Sequence, residues 1–104
     1  MHDPRIDQLA RQLVRYSTAT KRGENVLIEL FDVPEEMGIA LIREIRAVKA
    51  TPFINIHNAK ISREIGRGAT EEQYAAIAKN AMHQMKNMDC YIAIRGSHNV
   101  NELS

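Results

Sequence analysis

Val26-Leu27-Ile28-Glu29-Leu30-Phe31 decides how the rest of this chain is read. The run is mostly apolar, rich in branched side chains, and too short for a helix. Lys21-Arg22-Gly23-Glu24-Asn25 introduces it and Asp32-Val33-Pro34 closes it. Turn chemistry on both sides predicts a buried strand. Helical patterns lie before and after it, which makes it the central strand of a small α/β sheet.

Working outward, Asp3-Pro4 is a strong helix start: a carboxylate cap, then a residue with preset φ and no amide hydrogen to lose. Ile6, Leu9, Ala10, Leu13 and Val14 follow at helical spacing, predicting an amphipathic helix that ends near Tyr16 or Ser17. On the other side of the central strand, Asp32 and Glu35 have capping-box spacing. Met37, Ala40, Leu41, Ile45 and Val48 form the buried stripe of the next helix. Thr51-Pro52 discourages helix and opens an extended segment. There Phe53-Ile54-Asn55-Ile56-His57 alternates as an edge strand with one wetter face.

Ala59 to Ile65 predicts a short helical turn stopped by Gly66-Arg67-Gly68, and Thr70-Glu71-Glu72-Gln73 is a second capping box. Tyr74, Ile77, Ala78, Ala81, Met82 and Met85 give the following helix a clean apolar stripe, read as core. Cys90-Tyr91-Ile92-Ala93-Ile94 is the third strand, and its apolar density predicts burial on both faces. Helices joining parallel strands by right-handed crossovers then give a small doubly wound parallel sheet of order 2-1-3 in a three-layer α/β/α arrangement. The topological switch point falls between the first and third strands, where Phe31-Asp32 meets Arg95-Gly96-Ser97-His98.

The totals exclude several functions. One domain fits 104 residues, with 44% hydrophobic and 26% charged residues as in ordinary globular chains. A net charge of +1 and the lack of tryptophan argue against nucleic acid or an anionic membrane as partner. No apolar run approaches ~20 residues, and Met1-His2-Asp3-Pro4 does not open a signal peptide. The lone Cys90 fits a reducing compartment, so the expected location is cytoplasmic.

Candidate chemistry is sparse. No nucleophile elbow, phosphate loop or paired-histidine helix motif occurs. Gly66-Arg67-Gly68 follows a helix and reads as a turn. His57 and His98 sit at strand ends but lack further ligands, so no metal, cofactor or catalytic residue is assigned. His83 lies on a polar helix face, Cys90 reads as a small core residue, and Met82 and Met85 read as packing. The strongest functional segment is Asp32 with Arg95-Gly96-Ser97-His98-Asn99, a ligand loop or a domain seam.

The whole chain resembles the N-terminal domain of the dinuclear metallo-aminopeptidases of the aminopeptidase T and aminopeptidase S type. The resemblance rests on Asp3-Pro4-Arg5-Ile6-Asp7-Gln8-Leu9-Ala10 and on Lys21-Arg22-Gly23-Glu24-Asn25-Val26-Leu27-Ile28. Leu41-Ile42-Arg43-Glu44, Ala50-Thr51-Pro52 and Asp89-Cys90-Tyr91-Ile92-Ala93-Ile94-Arg95-Gly96 extend it. It implies a cytosolic exopeptidase, a dimer, that releases N-terminal residues from peptides. Two divalent metal ions (zinc, cobalt or similar) would then lie in a separate C-terminal catalytic domain, and none of that domain's ligands maps onto these residues. The family tends to place Gly where Lys49 stands, so either a non-glycine residue near Lys49 takes positive φ or the helix ends without a left-handed cap. Two other readings are a flavodoxin-like small-molecule module using the switch point and a noncatalytic oligomerisation or scaffold domain. The first expects a concave pocket at Asp32 and Arg95; the second expects an apolar outer face.

Overall fold

The structure, a computed structural model, describes residues 3–96. Four α-helices and three strands follow one another as α1 (Pro4–Arg11), β1 (Asn25–Phe31), α2 (Glu35–Ala47), β2 (Thr51–His57), α3 (Ala59–Gly66), α4 (Glu71–Met85) and β3 (Cys90–Arg95). The sheet is parallel throughout, in the order β2-β1-β3. It is the small α/β fold expected from the strand and helix patterns.

Local chemistry sets the elements. The Asp3 carboxylate accepts the Arg5 N–H at 2.9 Å and starts α1. That helix continues as a π-helical segment, Gln12–Ser17, whose last turn closes when Thr18 N–H donates to the Leu13 carbonyl at 3.0 Å. Helix α2 ends with Ala50 N–H on the Ile45 carbonyl and Lys49 N–H on the Arg46 carbonyl, a Schellman pair around a left-handed residue. That residue is Lys49, at φ 68°, the first of the two alternatives that the resemblance left open. Thr70 caps α4 by accepting the Gln73 N–H at 3.1 Å.

The predicted capping role of Asp32 for α2 is corrected. Pro34 occupies the cap position with no side-chain cap bond, while both Asp32 carboxylate oxygens accept the Ala59 N–H at 3.2 Å. The first turn of α3 offers an unpaired amide within reach, and it takes the carboxylate.

One face of the sheet holds the core. Val26, Ile28 and Leu30 point toward α1 and α2 and pack with Ala10, Val14, Leu41 and Ile45. Gly38 lets α2 lie close: a Cβ there would stand 2.8 Å from Leu30 Cδ1 and 3.3 Å from Ile54 Cδ1. Leu9, expected in the α1 stripe, is exposed. Strand alternation sends Leu27, Glu29 and Phe31 to the opposite face.

Leu27 is buried there, but the rest of that opposite face is thinly covered, which overturns two expectations. The apolar stripe of α4 is not core: Ile77 is 47% exposed and Met82 65%. Only Gln84 of that helix is half-buried, its amide hydrogen-bonded to Asn55 at 2.7 Å. Nor is β3 buried on both faces, since Tyr91 is 44% exposed while Ile92 is buried. The cause is common to both. Helices α3 and α4 stand away from the sheet, and the radius of gyration of 15.5 Å exceeds the ~13 Å usual at this length. Among the described residues, no helix is long and apolar enough to cross a membrane.

Candidate functional site

The parallel register fixes what meets at the carboxyl ends of the strands. Phe31 is the register partner of both His57 and Arg95, so the three side chains form a row across the thinly covered face. The His57 ring stacks on Phe31, with centroids 4.5 Å apart and planes 9° from parallel. The Arg95 guanidinium lies over the Phe31 ring at 4.1 Å from its centroid, a cation–π contact. Two residues back along β1, the Glu29 carboxylate hydrogen-bonds His57 Nε2. This diagonal cross-strand pair orients the imidazole.

Backbone geometry closes the end of the sheet around this row. Asp32 N–H donates to the His57 carbonyl at 3.1 Å, and Gly96 N–H donates to the Phe31 carbonyl at 2.6 Å. Asp32 takes φ 56°, a left-handed conformation that Asp tolerates better than most residues. Position 96 admits no side chain in this pose. A Cβ there would stand 2.1 Å from the Asp32 carbonyl oxygen and 2.9 Å from its carbon. Phe31, Asp32, His57, Ser62, Arg95 and Gly96 line a cavity of about 390 Å³, with Ala59 at its edge.

The expected site residues Asp32, Arg95 and Gly96 are thus brought together, at the switch point where doubly wound sheets bind ligands. Ser97, His98 and Asn99 lie outside the described residues. His57, weighed in the sequence as a metal ligand and not assigned as one, is a wall of the cavity, hydrogen-bonded to Glu29. Among the described residues, no three His, Cys, Asp or Glu side chains converge as metal ligands. His83 is exposed.

Glu29 and Ser62 were missed as site residues. For Glu29 a signal existed, because a lone acid in an apolar strand faces the same side as Phe31. For Ser62 none did, since its place depends on the direction α3 takes from Asn58. The Asn58 carboxamide caps that helix by accepting Lys60 N–H at 2.9 Å.

At the opposite end of β3, Cys90 is half-buried, accepts the Thr20 hydroxyl at 3.7 Å and donates to Glu24 at 3.6 Å. Burial pushes its thiol above the ordinary range; the Thr20 hydrogen bond opposes this, and the Glu24 carboxylate adds to it. Burial likewise raises the Tyr91 phenol, and the Glu29 charge adds to that shift. Neither group is poised as a nucleophile at neutral pH.

Fold and geometry define a doubly wound α/β module with a cavity at its switch point and an uncovered helical face. No protein-family model and no curated protein matches the chain.

Proposed function

We propose that this chain is the noncatalytic N-terminal domain of a cytosolic metal-dependent aminopeptidase, a hydrolase that releases N-terminal amino acids from peptides. In this reading the two divalent metal ions, zinc, cobalt or similar, belong to a C-terminal catalytic domain. The α/β domain is a docking and positioning element of a homodimeric enzyme. The residues quoted above from the start of α1, the approach to β1 and the whole of β3 support the family resemblance.

The observation that carries the reading is the uncovered stripe of α4. Tyr74, Ile77, Met82 and Met85 share one helical arc and are all exposed, and Phe53 and Tyr91 on the sheet are exposed as well. An exposed apolar stripe of this kind suits an interaction site, and a seam to another domain is its simplest use.

The direct test is to read the coding sequence past Ser104 and co-express the segment it encodes with residues 1–104. The reading expects a metal-ligand-rich segment that co-purifies with this chain, and Ile77→Asp or Met82→Asp should release it. A reading frame without such a segment, or co-purification untouched by both substitutions, would refute it.

A further inference from the structure

We propose that the cavity at the carboxyl ends of the strands binds a small monocarboxylate with a flat apolar body, anchored by the Arg95 guanidinium. This does not rest on the aminopeptidase reading; it follows from the chemistry of the row Arg95–Phe31–His57.

Arg95 is the anchor because it is held and yet uncommitted. Its guanidinium carbon lies over Phe31 at 4.1 Å from the ring centroid, a cation–π contact that consumes none of the five N–H donors as a hydrogen bond to an acceptor. Among the described residues no carboxylate stands within ion-pair distance of it; the pairs formed involve Arg5, Arg11, Arg15, His57 and Arg67. A stacked guanidinium loses less freedom on binding than a loose one, and its fork matches a carboxylate through two parallel hydrogen bonds.

The charge around the cavity selects a monoanion. Its lining carries one uncommitted cation, Arg95, and one carboxylate, Asp32, while the Glu29 carboxylate is hydrogen-bonded to His57. A single negative charge can pair with Arg95. A dianion such as phosphate would bring a second charge that has no cation to meet and adds repulsion from Asp32. The Ser62 hydroxyl offers a second donor. Ala59 and the edges of the stacked Phe31 and His57 rings give the remainder an apolar wall. A volume of about 390 Å³ lies in the range of small-molecule sites.

The experiment is an amide-resolved NMR titration of the chain with sodium benzoate, benzamide and inorganic phosphate at constant ionic strength. Benzamide has the shape of benzoate without its charge, and phosphate has the charge without the ring. Saturable shifts with benzoate should appear at Phe31, His57, Arg95 and Gly96, with at least about tenfold weaker binding of benzamide, as expected for losing a charge-assisted pair. Arg95→Gln, its fold verified by the same spectra, should weaken benzoate by a similar factor. Equal binding of benzoate and benzamide would overturn the proposal. So would phosphate binding as tight as benzoate, or benzoate shifts unchanged in Arg95→Gln. If Arg95→Gln does not fold, the benzoate-to-benzamide ratio on the native chain decides alone.

Discussion

The Asp32 carboxylate, at the end of the central strand, accepts the Ala59 N–H at 3.2 Å to each oxygen and fastens β1 to the first turn of α3. Asp32 does this from a left-handed backbone at φ 56°. Two costs therefore separate in substitution. Asp32→Ala loses the acceptor and keeps a conformation that disfavours a Cβ by roughly 1–2 kcal/mol; Asp32→Gly loses only the acceptor. Thermal unfolding should rank native above Asp32→Gly and Asp32→Gly above Asp32→Ala. The reverse order for the two variants would show that the turn is not strained.

Lys49 carries the same kind of strain at φ 68°, with no side-chain bond to another of the described residues to offset it. Its backbone N–H and the N–H of Ala50 complete the end of α2, and glycine performs that role at lower steric cost. Lys49→Gly should stabilise the domain by about 1 kcal/mol, visible as a Tm rise of roughly 4–8 °C for a domain of this size. A fall in Tm would contradict the left-handed assignment.

Two apolar residues on different helices should behave in opposite ways. Leu41 is fully buried on the inner face of α2 and Met82 is 65% exposed on α4. Leu41→Ala should cost about 3 kcal/mol, the usual result of a cavity in a packed core. Met82→Ala in the isolated chain should stay within about 0.5 kcal/mol. Chemical denaturation measures both, and a large loss at Met82 would mean that α4 is packed against the sheet.

Cys90 gives the chain a specific response to alkaline pH. Burial raises its folded-state pKa, so the fold holds the thiol proton more tightly than the unfolded chain does. The associated stability is fully present below the ordinary thiol pKa of about 8.5. It is lost as pH climbs through the raised value. Stability of the native chain should therefore fall more steeply above that pH than stability of Cys90→Ala. Iodoacetamide at pH 8 should modify native Cys90 severalfold more slowly than the denatured chain; equal rates would remove the effect.

The strand order and the central place of Val26–Phe31 were legible because each follows from local chemistry: a short branched run between turns, and alternating helices. The left-handed Lys49 was one of two outcomes that the family resemblance left open for the end of α2. The meeting of Asp32, Arg95 and Gly96 was legible from topology alone. The exposure of Tyr74, Ile77, Met82 and Met85 was not. Helical periodicity says that a stripe seeks burial, but it does not say whether the burying surface belongs to the same chain. The same ambiguity misassigned Tyr91. The Glu29–His57 pair was hidden for another reason: it needs the β1–β2 register, which sets His57 opposite Phe31 and is not marked by any hairpin turn.

The proposed function, that residues 1–104 position an aminopeptidase and do not perform its chemistry, is tested most directly by hydrolysis of leucine p-nitroanilide with zinc- or cobalt-loaded protein. The chain alone is compared with the chain mixed with the C-terminal catalytic segment that the proposal requires. Two-metal hydrolysis needs ions about 3.5–4 Å apart among converging carboxylates and imidazoles. The account predicts no turnover by the chain alone and metal-dependent release of nitroaniline from the mixture. Metal-dependent turnover by the chain alone, abolished by His57→Ala, would contradict it.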